Sequence, residues 1–112
     1  MLVAAAGNEA MDTDIMGFYP ASYDLKNVIS VAAVSKDGNI LASSNYGSHS
    51  VQFAAPGEKL LSTLPNNSWG MMTGTSQATA VVSGKLVQVY AKLMSDGMTD
   101  KKALAEKSLE VL

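Results

Sequence analysis

One stretch of this sequence has residue types and spacing that could do covalent chemistry: Thr73-Gly74-Thr75-Ser76-Gln77-Ala78-Thr79-Ala80. An extended run ends here, Gly74 permits a sharp turn, and Ser76 stands where a long helical pattern begins. The first turn of a helix leaves backbone N–H groups without partners and carries a partial positive charge. A serine held there can attack a carbonyl carbon while its own N–H receives the charge developing on the oxygen. The plainer reading makes Thr75 or Ser76 the helix cap, and these eight residues taken alone favour it.

Few other residues offer chemistry. His49 is the only histidine and there is no cysteine, which excludes thiolate catalysis, disulfides and metal centres built on several imidazoles. With no arginine, and 8 lysines against 10 acidic residues, the net charge is −2. Phosphate binding needs clustered cations, so nucleic acid is not an expected partner. Asp12-Thr13-Asp14 pairs two carboxylates but lacks the further oxygen ligands of a calcium loop, and reads as an exposed polar loop. No run reaches the ~18 apolar residues of a membrane span. The opening Met1–Gly7 also lacks the charged start of a signal peptide and reads as a buried strand.

Punctuation and periodicity place these residues on elements. Leu2–Ala6 reads as a buried strand ending at Gly7-Asn8, followed by a loop over Glu9–Gly17. Phe18–Ala21 is turn-like, with Pro20 keeping Tyr19 out of the helical region. Val28–Val34 is a second strand, rich in β-branched residues, and Val51–Ala55 a third, stopped by Pro56-Gly57. Leu60–Leu64 and Trp69–Thr73 are extended segments joined by a turn at Pro65-Asn66-Asn67. From Ala78 to Met94 the apolar residues recur at three- and four-residue steps, an amphipathic helix closed by Gly97. Thr99 is the expected cap of a last helix. With 112 residues, 47% of them hydrophobic, there is room for one globular domain at most. Short buried strands with helices give an α/β class, but one long helix is too little to cover a parallel sheet. The fold reads as part of a larger one.

The Gly74–Ala80 block resembles the nucleophile motif of the subtilisin-like serine proteases (subtilases, peptidase S8 family), usually written GTSMATP; Gln77 and Ala80 replace the usual Met and Pro. Other blocks follow in that family's order. Ala5-Ala6-Gly7-Asn8-Glu9 is similar to the segment bearing the oxyanion-hole asparagine, and Tyr19-Pro20-Ala21 with Asn27–Val34 to the stretch after it. Ser43-Ser44-Asn45-Tyr46-Gly47, Ala54-Ala55-Pro56-Gly57 and Ser62-Thr63-Leu64-Pro65 are similar to the approach to the nucleophile. The resemblance implies a partial subtilisin-like fold: a mostly parallel sheet, with a long helix starting at the nucleophile serine. It also implies a serine endopeptidase in which Ser76 is the nucleophile and Asn8 supplies the second oxyanion donor beside the Ser76 N–H. Ala5, Ala6, Gly7, Glu9, Phe18 and Thr75 would border the substrate, in part at the pocket for the side chain before the scissile bond. Phe18 stands where many relatives have Gly, which narrows that pocket.

The family's triad runs Asp, His, Ser along the chain. Seven residues precede Asn8 and none is Asp or His; His49 falls where the family has a connecting loop. The resemblance therefore covers the C-terminal portion of a catalytic domain, residues 1–112, with the triad Asp and His absent. The expected partners are a peptide or protein substrate and a missing N-terminal half, and the chain alone is expected to be inactive. Calcium is a cofactor that the family often carries, and export is its tendency, although no export signal is present. A second class of function stays open, a non-catalytic binding or assembly module that docks its open sheet edge on a partner.

Overall fold

A computed structural model describes residues 1–112. Three strands, β1 (Leu2–Ala5), β2 (Val28–Val34) and β3 (Phe53–Pro56), form a parallel sheet in the order β1-β2-β3. A separate antiparallel hairpin follows, β4 (Leu60–Leu64) and β5 (Ser68–Met72), and then two helices, α1 (Thr75–Ser95) and α2 (Lys101–Val111). The hairpin turns at Asn66 and Asn67, whose φ values of 61° and 54° are the left-handed pair that a tight hairpin needs and asparagine tolerates.

The core lies between α1 and one face of the sheet. Ile29, Val31 and Ala33 alternate along β2, as a two-residue period dictates, and meet Ala55 of β3 and Ala78, Val82 and Leu86 of α1. Leu109 and Leu112, on and just beyond α2, pack against the same cluster. β2 is buried on both faces until Val34, which explains its continuous apolar run.

Several boundaries differ from the sequence reading: β1 ends at Ala5 rather than Ala6, β5 spans Ser68–Met72 rather than Trp69–Thr73, and α1 begins at Thr75 rather than Ala78. β3 starts at Phe53 rather than Val51, because Gln52 meets Ser30 partly through its side chain: its Oε1 accepts the Ser30 N–H at 2.8 Å. The strand runs on through Pro56, which an edge strand tolerates because the missing N–H faces no partner. α2 is capped by Asp100, not Thr99; the Asp100 carboxylate accepts the Ala103 N–H at 2.7 Å.

Parallel strands usually need a helical crossover. Here residues 6–27 and 35–52 make the crossovers as irregular loops, held to each other by polar side chains. Asp14 is the main latch. It accepts the hydroxyls of Ser48 (2.8 Å) and Ser50 (2.7 Å) and the N–H groups of Ser50 (2.8 Å) and His49 (3.1 Å). Bonds from Ser50 chiefly, then from Ser48 and His49, hold its carboxyl far below the usual carboxylate range. Such a depressed group stabilises the fold above the ordinary carboxylate pKa, and the contribution is lost only as pH falls through the lowered value. Asp14→Asn should therefore be less stable than the parent in urea unfolding at pH 7. The difference should persist down to about pH 4 and shrink in stronger acid; a difference that stays constant below about pH 4 would exclude the latch.

Gly84 sits in the interior of α1, exposed, and a Cβ there would meet nothing within 4 Å. Glycine costs about 0.5–1 kcal/mol relative to alanine inside a helix. Gly84→Ala should raise the midpoint of thermal unfolding by a few degrees. An unchanged or lower midpoint would mean that this helix position is not free.

Candidate active site

The C-terminal ends of β1 and β3 converge on the first turn of α1, where open parallel sheets generally bind ligands. Two glycines allow the approach. Gly57, just past β3, accepts the Gly74 N–H on its carbonyl at 2.8 Å. A Cβ on Gly57 would stand 2.7 Å from the Gly74 carbonyl oxygen and 2.6 Å from the Ala33 methyl. Gly74 itself has φ 154°, and a Cβ there would lie 3.3 Å from Asn8 Oδ1. A larger residue at Gly57 pushes the helix away from the strand, and one at Gly74 crowds the Asn8 amide.

Gly74 is the N-cap of α1 and has no side chain to satisfy the first turn. Neither Thr75 nor Ser76 is the cap; both lie inside the helix. The capping acceptor comes instead from 67 residues away: Asn8 Oδ1 accepts the Thr75 N–H at 2.9 Å and the Thr75 hydroxyl at 3.2 Å. Thr75 is fully buried, and its Oγ1 accepts the Gly7 N–H at 3.3 Å. Since a backbone N–H can only donate, the atom of Asn8 facing it must be the carbonyl oxygen. This fixes the amide orientation and leaves the Asn8 NH2 group, with no partner in the chain, pointing away from Thr75.

Ser76 follows directly and is exposed. Its N–H and that of Gln77 find no acceptor in the chain, as expected for the first turn of a helix. Ser76 lies in an open groove of about 430 Å³ between the first two turns of α1 (Gln77, Ala80, Val81) and Leu60–Thr63 of β4. An exposed hydroxyl, two free backbone donors and an oriented amide donor are thus gathered at one helix end. That set can hold a developing negative charge next to an attacking oxygen.

The other residues singled out in the sequence fall around Gly7. Phe18 Cε1 would be 3.0 Å, and Glu9 Oε2 2.6 Å, from a Cβ on Gly7, so both side chains pack on that glycine. Ala5 is half-buried in β1. Ala6 is fully buried and its carbonyl accepts from Asn45 Nδ2, so it offers no side-chain surface. Gln77 is only half-buried, its Nε2 3.7 Å from Met72 Sδ. Asn45 is a residue that sequence reasoning does not single out for the site. It is fully buried beneath the Asn8 segment, and nothing short of its long-range contacts signals it.

A complete triad is not assembled within the chain. His49 lies outside the Ser76 groove and is 91% exposed; its Nδ1 is 3.5 Å from Asp14 Oδ2 and 2.9 Å from Ser48 Oγ. Both contacts use the same ring nitrogen, whereas a catalytic base needs its two nitrogens on opposite partners. The largest cavity, about 700 Å³, lies beside His49, Asp14 and Tyr19 and does not reach Ser76. Calcium does not fit the Asp12–Asp14 loop: both oxygens of Asp14 already accept N–H and O–H donors, and Asp12 Oδ1 accepts the Asp14 N–H at 3.0 Å. No three His, Asp or Glu side chains come together to hold a metal.

The chain is similar to several known proteases. It is 41% identical over all 112 residues to "Subtilisin-like protease 2" of Plasmodium falciparum, of which it spans 8%. It is also 41% identical over 92 residues, 80% of its length, to the "Major intracellular serine protease" of Bacillus subtilis, of which it spans 28%. Among solved structures, the prenylagaramide maturation protease PagA superposes with a TM-score of 0.79 at 30% identity. That match covers 88% of this chain and 35% of the other. The chain thus spans a small fraction of the relatives it matches. The profile of the subtilase family matches residues 1–109, and the chain belongs to that family.

Proposed function

We propose that this chain carries the nucleophile and oxyanion hole of a serine endopeptidase, and that a further part of a subtilase domain completes it with the triad aspartate and histidine. The observation that carries the reading is the Thr75–Asn8 contact, which aims an amide NH2 outward beside an exposed Ser76. Ser76 Oγ attacks the carbonyl carbon of a peptide while the incoming histidine takes its proton. The oxyanion formed accepts hydrogen bonds from Asn8 Nδ2 and the Ser76 N–H. When the C–N bond breaks, the histidine returns the proton to the leaving amine, and water then hydrolyses the ester on Ser76.

The surface of α1 supports completion by another part. Ser76, Ala80, Gly84, Val87, Ala91 and Met94 recur at helical spacing and are all exposed. The lower end of this stripe adjoins an apolar groove lined by Met1, Val3, Leu86 and Tyr90, beside the unpaired edge of β1. An added strand and its packing would cover these residues and end at Ser76. Without it, the chain has no base to deprotonate the serine.

A fluorophosphonate probe tests this directly. The chain alone should not be labelled; mixed with an N-terminal subtilase half it should be labelled at Ser76, and Ser76→Ala should abolish the signal. Asn8→Ala should lower turnover by roughly 10²–10³, the loss known for one oxyanion donor in subtilisin, itself a member of this family. Absence of labelling in a mixture whose two parts demonstrably associate would favour the non-catalytic binding module instead.

The Phe18 ring against Gly7 supports a narrow pocket for the side chain before the scissile bond. Phe18→Gly should then shift kcat/KM toward substrates with a large apolar residue there, relative to alanine, by about tenfold or more. An unchanged ratio would place Phe18 outside the pocket.

A further inference from the structure

The Asn45 amide spends its whole hydrogen-bonding capacity inside the chain. Its Nδ2 donates to the Ala6 carbonyl at 2.8 Å and to Glu9 Oε2 at 2.9 Å. Its Oδ1 accepts the N–H groups of Glu9 at 2.9 Å and Met11 at 3.0 Å, and its own N–H donates to the Gly7 carbonyl at 2.8 Å. The residue is 0% exposed, and it lies so close to Gly7 that a Cβ there would overlap Nδ2. One side chain therefore ties the backbone on both sides of Asn8, with no hydrogen bond to Asn8 itself.

The held conformation is not one the segment adopts freely. Ala10 has φ 56°, in the left-handed region that a residue with a Cβ enters only at a steric cost. It sits between Glu9 and Met11, the two residues whose N–H groups share Asn45 Oδ1. The Ala10 N–H also donates to the Ser43 carbonyl at 3.0 Å; with Asn45 released, that bond is left to hold residue 10 against its preference for negative φ, and Glu9 and Asn8 gain freedom. Thr75 alone then orients the Asn8 amide, from one side only.

We propose that Asn45 is the positioning residue of the oxyanion donor Asn8, acting on catalysis through the Ala6–Met11 backbone; this rests on the role given to Asn8 above. The chain itself supplies the first test, through 15N relaxation of the Asn8 side-chain NH2 and the Glu9 and Met11 amides. In the parent these groups should be rigid, with order parameters of about 0.85, and in Asn45→Ala they should fall below about 0.6. The amides of Val82 and Leu86 should stay unchanged. An Asn8 amide that stays rigid, or a helix that loosens equally, overturns the proposal. Asn45→Ser keeps a small polar group in the buried site but is too short to reach the Glu9 and Met11 N–H groups; it is read in the same way if Asn45→Ala does not fold. Failure of both to fold makes Asn45 a core residue and overturns the positioning role.

In the completed peptidase, Asn45→Ala should lower kcat on the order of 10–10²-fold with KM little changed. The loss should vanish in an Asn8→Ala background, because a residue acting through Asn8 has nothing left to position. Additive losses overturn the proposal. If Asn8→Ala alone has no effect on kcat, the oxyanion reading fails, and with it the catalytic half of the proposal. Loosening of the Asn8 amide in Asn45→Ala would still support the positioning half.

Discussion

Everything about this site depends on how one helix end is satisfied. The first turn of α1 has N–H groups that no helical carbonyl can reach, and Gly74 in the capping position brings no side chain. Asn8 fills the gap from the end of β1, and Thr75 returns the contact through its hydroxyl. Each bond is worth about 1 kcal/mol net, so the stability gained is modest. Orientation is the larger result. The Asn8 amide can satisfy Thr75 only with its oxygen, which commits its NH2 group to the other side.

That contact requires close approach, and the glycines supply it. Gly57 brings the end of β3 against Gly74, Gly74 lets Asn8 reach the helix, and Gly7 leaves room for Asn45, Glu9 and Phe18 around the same turn of chain. The loops that make the crossovers cannot be held by apolar packing, since they are polar and run over the surface. Buried or hydrogen-bonded polar side chains hold them: Asn45 under residues 6–11, Asp14 under 48–50, and Ser44, whose Oγ accepts the Ala33 N–H at 3.1 Å. No buried side-chain nitrogen or oxygen is left without a partner, so hydrogen bonds offset the cost of taking these latches out of water.

Local signals in this sequence are legible and long-range ones are not. β2 can be read residue for residue because β-branched runs and flanking turns mark a strand wherever it packs. The hairpin is legible from Pro65-Asn66-Asn67, and the body of α1 from its helical period. That period starts at Ala78, three residues after the true start of α1, because the helix is capped not by a neighbour but by Asn8, far away in sequence. Thr99 and Asp100 are both good cap residues standing side by side, and only backbone geometry separates them. The pairing of Asn8 with Ser76 comes from resemblance to a family and not from spacing. Asn45 reads as a loop residue, since burial of a lone asparagine leaves no pattern in a sequence.

On the proposed reading, the chemistry and the packing of α1 are completed from the same side. A helix in contact with one sheet face buries Thr75, Ala78, Val82, Leu86 and Val89 and leaves the opposite stripe, from Ser76 to Met94, in solvent. Valine and methionine on that stripe gain nothing from water, and Gly84 weakens the helix without relieving any contact within the chain. On the proposed reading these costs share one origin. A part that packs on the stripe covers the apolar side chains, comes close at Gly84, and necessarily arrives beside Ser76 at the helix start. The serine would gain its base from the same contact that completes the core, so that association and activity rise together. On that reading an isolated chain keeps the proposed oxyanion donors aimed, because Thr75, Asn8 and the loops that hold them lie wholly within it.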